Sequence, residues 1–87
     1  MKKSEEFLLK EIGNECVLVP FGNKALDFNG MVTLNETAKF LWEHAIDDFD
    51  ENILALCLTK EYDVDMDTAV VACREFIQNL KEVGAIE

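Results

Sequence analysis

Hydrophobic residues follow two different rules along this chain. In the first third they come as short runs broken by turn residues; after residue 35 they recur at helical spacing. Phe7-Leu8-Leu9-Lys10-Glu11-Ile12 and Cys16-Val17-Leu18-Val19-Pro20-Phe21 flank Gly13-Asn14, a pair suited to the positive φ angles of a tight hairpin turn. Pro20 has no amide to donate, so it belongs at the end of its strand or on a free edge. Gly22-Asn23-Lys24 reads as a loop, and Ala25-Leu26-Asp27-Phe28 fits no single period. Asn29-Gly30 is a second turn signal before a third strand at Met31–Leu34. The pattern predicts a three-stranded antiparallel sheet.

Three helices are predicted next. Asn35 is a good N-cap, and Ala38, Leu41, Trp42 and Ala45 fall at i, i+3, i+4 and i+7 of a helix over about Glu36–Ile46. A second helix starts with Asp50 as its cap and runs through Ile53, Leu56 and Cys57 to about Tyr62. A third runs from Asp65 to Val83, where Gly84 supplies the left-handed residue that stops it, and Ala85-Ile86 returns to the core. The connections at Asp47–Asp50 and Asp63–Asp65 are short, which favours a trihelical cluster. The expected class is α+β, a winged helix-turn-helix-like arrangement with the sheet first and three helices after it. Residues 1–87 suffice for one domain with one core, with residues 1–6 frayed.

The junction Val32-Thr33-Leu34-Asn35-Glu36-Thr37-Ala38, a short strand running straight into a capped helix, is the most informative stretch. Such a strand is often a sheet edge, whose unpaired N–H and C=O groups can take another chain as an added strand.

Charge narrows the partner. Eighteen acidic residues against eight basic ones give a net −10. Residues 43–67 hold nine acids against Lys60 alone, a net of −8. That field repels phosphate backbones, so nucleic acid is not an expected partner. No apolar run approaches the roughly 18 residues of a membrane span, and the start of the chain makes a poor signal peptide. The expected location is cytoplasmic. Cys16, Cys57 and Cys73 are widely spaced and set among apolar residues, which suits reduced thiols acting as small core residues rather than a zinc site.

The chain offers no catalytic constellation. His44 is the only histidine and lies off the apolar face of its helix. Ser4 is the only serine, and no glycine-rich phosphate loop is present. Asp63-x-Asp65-x-Asp67 looks like the start of a calcium loop, but the positions that should hold Gly and Glu are Thr68 and Arg74. Helix capping by Asp65 explains the cluster without a metal. No catalytic residue, metal or cofactor is expected, and binding is the expected role.

At 100° per residue from Met66, the apolar residues of the third helix fill an arc from about 260° through 0° to 40°. Phe76, Leu80, Cys73 and Ala69 sit mid-stripe. Val70 and Ile77 lie at one edge, and Lys81 and Arg74 follow at about 60° and 80°. That edge suits an amphipathic peptide carrying acidic residues. Alternatively, the two cations simply extend their stems over the core.

The chain resembles the family of coenzyme PQQ synthesis protein D (PqqD), the prototype of the recognition element for precursors of ribosomally made, modified peptides. The residues that carry the resemblance are Leu34-Asn35-Glu36-Thr37-Ala38, Leu41-Trp42-Glu43, Glu61-Tyr62-Asp63-Val64-Asp65, and Phe76-Ile77-x-x-Leu80-x-x-x-Gly84-Ala85-Ile86. The match runs from Phe7 onward. It departs from the family's usual form at Ala72, where an acidic residue is expected, and at His44 and Ala45, where larger apolar residues are common. The resemblance implies a winged helix-turn-helix-like fold that does not bind DNA. It also implies that a precursor's leader segment adds as a strand to the third strand and lies between it and the third helix. Carried over, the backbone partners are Met31, Val32, Thr33 and Leu34, and the groove wall includes Val70, Arg74, Ile77 and Lys81. The peptide is then presented to a maturase, commonly a radical SAM enzyme that holds the cofactors itself. Two rivals share the fold: a DNA-binding regulator, which needs a basic recognition helix, and a structural subunit or homodimer that buries the same edge strand.

Overall fold

The computed structural model describes residues 1–27 and 30–87. Phe28 and Asn29, and with them half of the Asn29-Gly30 turn signal, lie outside the described residues. The order is β1 (Phe7–Ile12), β2 (Glu15–Pro20), α1 (Lys24–Asp27), β3 (Val32–Leu34), α2 (Glu36–His44), α3 (Glu51–Glu61) and α4 (Met66–Glu82). The sheet is antiparallel in the order β1-β2-β3, so β3 is an edge strand. The class is α+β, as the pattern predicts. Two details differ. The ambiguous stretch after Asn23 contains one short helical turn, α1, and β3 begins at Val32, so Met31 stands outside the paired strand.

Local chemistry accounts for the boundaries. Ile12 pairs with Glu15 across Gly13-Asn14, and of those two turn residues only Gly13 takes positive φ (64°), the position where a two-residue hairpin of this kind wants glycine. Pro20 is the last residue of β2, beyond the final β2–β3 pair, where its missing amide costs the sheet no bond. The caps are Asn35, Asp50 and Asp65, whose side-chain oxygens accept from the amides of Ala38 (2.8 Å), Ile53 (2.8 Å) and Thr68 (2.7 Å). The Thr68 amide holds the Asp65 carboxyl below its ordinary pKa, so the acidic cluster there acts as a cap. At the far end of α4, Gly84 N–H bonds Lys81 C=O (3.1 Å) and Ala85 N–H bonds Leu80 C=O (2.8 Å). With Gly84 at φ 83°, these bonds form a Schellman closure.

The period of two in the strands sends Phe7, Leu9, Cys16, Leu18, Val32 and Leu34 to the helix-covered face. Against them pack Leu41 and Trp42 of α2, Leu54 and Leu58 of α3, and Cys73, Phe76 and Leu80 of α4. Each fully buried leucine, such as Leu18 or Leu54, contributes about 1.5–3 kcal/mol of transfer free energy. The cysteines are free thiols. Cys16 and Cys73 are buried and Cys57 is half-buried. Burial pushes the Cys73 thiol up to about 11, which keeps it protonated at neutral pH.

The N-terminal residues lie against the helix ends: Ser4 is buried and its N–H donates to Ala85 C=O (2.8 Å). Met1 C=O accepts from Phe49, and Lys2 C=O accepts from Glu87. Lys3 bridges to Ile86, places its ammonium 4.8 Å from the centre of the Trp42 ring and donates to Trp42 C=O (3.0 Å). The segment fits as an extended strap between the helix ends, satisfied by long-range backbone bonds.

Candidate functional site

The hydrogen-bond parity of the sheet decides what its edge offers. Phe21 N–H donates to Glu6 C=O at 2.8 Å, which makes 6 and 21 a bonded pair. Along the unbroken register, Leu8–Val19 and Lys10–Val17 are then bonded pairs, whereas Leu9–Leu18 and Glu11–Cys16 are not. In a middle strand, backbone groups that do not face one neighbour face the other. Leu18 and Cys16 therefore bond Val32 and Leu34, and Thr33, opposite Val17, turns both its N–H and its C=O outward. Among the expected backbone partners, Thr33 is thus the one of the paired strand that has free groups. Val32 and Leu34 spend theirs on β2 and contribute side chains instead.

Beside that edge lies a groove of about 300 Å³. Its first wall is Val32, Thr33 and Leu34; Asn35, Thr37, Ala38 and Leu41 of the following cap and helix continue it. The opposite wall comes from one face of α4: Ala72, Glu75, Phe76, Asn79 and Leu80. Leu34, Leu41, Phe76 and Leu80 are buried and form an apolar floor, while Ala38 and Ala72 leave room above it. The arrangement suits an extended chain that bonds Thr33 and lowers apolar side chains toward α4.

The groove takes in Val32, Thr33 and Leu34 of the expected site but none of its α4 residues. Arg74, Ile77 and Lys81 line a separate hollow with Met1, Glu51 and Gln78, and Val70 packs half-buried against the core. The structure does not bring these four residues to β3. That edge of α4 lies beside the first turn of α3, where Arg74 Nε and Nη2 meet Glu51 Oε2 and Oε1 at 3.2 and 3.1 Å. The pairing pushes the Glu51 carboxyl down and the Arg74 guanidinium up. Sequence reasoning missed Ala72, Glu75, Phe76 and Asn79 as wall residues, although their i, i+3, i+4, i+7 spacing marks them as one helical face. Arg74→Ala is expected to leave peptide affinity within about twofold of the native protein, because an exposed pair outside the groove contributes little. A titration monitored by fluorescence anisotropy checks this; a larger loss would return Arg74 to the site.

A second hollow shares Thr33, Leu34 and Asn35 with the groove and is lined on its far side by Glu11, Glu15, Glu36 and Lys39. Lys39 Nζ is paired with Glu11 Oε1 at 2.9 Å, which raises the lysine and lowers the carboxyl. His44 is exposed, with Nδ1 2.8 Å from Phe40 C=O and its ring stacked on Phe40. Among the described residues no cluster of three His, Cys, Asp or Glu could hold a metal ion, and no helix is long and apolar enough to cross a membrane.

Comparison with known proteins agrees with the fold. The fold is similar to a solved structure described as TbiB1 in complex with the TbiA(beta) leader peptide. The TM-score is 0.80 at 22% identity, and the match covers 100% of this chain and 95% of that one. No curated protein matches the chain. The family model for coenzyme PQQ synthesis protein D (PqqD) matches residues 15–86, a span from β2 to the residues that follow α4. The chain belongs to the PqqD family.

Proposed function

We infer that this protein is a non-catalytic peptide adaptor. It binds the leader segment of a ribosomally made precursor peptide by strand addition to β3 and presents it to a modifying enzyme, of the radical SAM kind, that carries its own cofactors. The observation that carries the reading is the outward-facing N–H and C=O of Thr33 beside an apolar groove closed by α4. Family membership and the leader peptide bound by the TbiB1 structure support it. If the incoming strand extends two residues upstream, Met31 is the next position whose backbone faces outward by the same alternation. Val32 and Leu34 act through their side chains.

Strand addition supplies affinity without depending on sequence, and the groove supplies selection. Tethering the leader raises the effective concentration of the rest of the precursor at the enzyme. The site works in the cytoplasm, where such precursors are made. The same edge pairs with a second copy at high concentration, and peptide competes with that association. The test is a titration of the protein with fluorescently labelled leader peptides, read by light scattering and by anisotropy. One-to-one binding that reduces any self-association supports the adaptor. Absence of binding together with a concentration-independent dimer supports a structural subunit.

A further inference from the structure

The groove walls carry an electrostatic preference opposite to the one the helix pattern suggested. Glu75 is exposed on the α4 wall, and its carboxylate has no partner among the described residues. The groove holds no lysine or arginine. The adjoining hollow at the same strand end adds Glu11, Glu15 and Glu36 against Lys39, and Lys39 is already paired with Glu11. Four carboxylates therefore border this strand end with one cation, and that cation is committed. Arg74 and Lys81, the cations of α4, lie on the other edge of the helix.

We propose that Glu75 selects a peptide carrying Lys or Arg in the segment that pairs with β3. The inference rests on the strand-addition reading. In an added strand, residues i and i+2 point to the same side. An apolar side chain lowered between Ala72 and Phe76 thus has its neighbours two positions away on the α4 side, and one of them meets Glu75. A cation there gains a charged hydrogen-bond partner where a carboxylate would face an uncompensated negative charge. The two alanines, Ala38 and Ala72, make the apolar position roomy. The occupant is therefore an extended peptide with a bulky apolar residue and, two positions from it, Lys or Arg.

The probe is a phage-displayed library of random peptides about twelve residues long, panned on the native protein, Glu75→Gln and Glu75→Lys. Enriched sequences are then resynthesised with a fluorophore and titrated. The native protein is expected to enrich Lys or Arg two positions from a bulky apolar residue. Glu75→Gln keeps the apolar preference and loses the charge preference, and Glu75→Lys enriches Asp or Glu at that place. Replacing the basic residue of a selected peptide by Glu weakens binding to the native protein about threefold to tenfold, the scale of a solvent-exposed charge interaction. Equal enrichment of Lys and Arg by native protein and Glu75→Gln would assign the preference to the overall negative field and overturn the role of Glu75. Enrichment of acidic peptides, or no charge preference, by the native protein overturns the inference while strand addition stands. Selected peptides that leave the Thr33 amide unprotected from exchange, or a library that yields no binder, overturn both.

Discussion

Thr33→Pro is expected to remove peptide binding and leave the fold in place. Proline deletes one backbone N–H, and at most strand positions that breaks a ladder bond. Thr33 is different because its N–H faces outward, while Val32 and Leu34 make the bonds to β2. Proline is tolerated on edge strands in that orientation. The preceding residue, Val32, is already in a strand, the conformation a following proline favours. An incoming peptide, by contrast, loses the bond to that N–H and meets the pyrrolidine ring where its backbone should come within about 4.8 Å. The combined effect is roughly 2–3 kcal/mol, or about 30-fold to 150-fold in Kd. Thr33→Ala retains the N–H and changes only a side chain on the face away from the helices, so it should bind nearly as the native protein does. Anisotropy with a labelled leader measures the affinities, and circular dichroism with a thermal melt checks the fold. Equal binding by the proline variant would show that the edge of β3 is not the docking strand.

Trp42→Ala is expected to lower stability by about 3–5 kcal/mol, the usual range for truncating a large buried aromatic residue. For a domain whose total stability lies in the range of about 5–15 kcal/mol, that is a large fraction. Trp42 is 5% exposed and sits in the cluster formed by the sheet and the three longer helices. It also receives the Lys3 ammonium over its ring, and burial lowers the pKa of that lysine. The cation–ring contact adds about 0.5–1 kcal/mol. The loss reaches function through α2, since the turns before Trp42 carry Ala38 and Leu41 into the groove. A urea titration should show a lower midpoint for Trp42→Ala and a smaller change for Trp42→Phe, which keeps most of the buried ring area. A midpoint unchanged in Trp42→Ala would contradict the packing described here.

Much of the fold was legible because local signals agreed with one another. Gly13 marked the hairpin, Asn35, Asp50 and Asp65 marked three helix starts, and Gly84 marked the last helix end, each through a bond or a dihedral that only a few residue types supply. The N-terminal strap was not legible. Its order comes from bonds to Phe49, Ala85 and Glu87, which are remote in sequence. The site was half legible for a similar reason. A helical wheel shows an apolar arc on α4 with two edges, and nothing within the helix says which edge meets the sheet. Val70, Ile77, Lys81 and Arg74 lie at one edge, whereas Phe76, Ala72, Asn79 and Glu75 follow the other at about 280°, 240°, 220° and 180°. Tertiary packing makes the choice: the Arg74 edge lies against α3, where Glu51 pairs with it, and the Phe76 edge lies beside β3. The charge expected of the peptide depends on that choice, since the first edge carries Arg74 and Lys81 and the second carries Glu75.

Amide hydrogen exchange at Thr33 tests the central claim most directly. In the free protein its N–H is exposed to solvent and should exchange fast, while Val32 and Leu34, bonded to β2, exchange slowly. Saturation with the leader peptide should slow exchange at Thr33 and leave its two neighbours nearly unchanged. Protection that appears on α3, Glu51–Glu61, with Thr33 still fast, would contradict strand addition to β3.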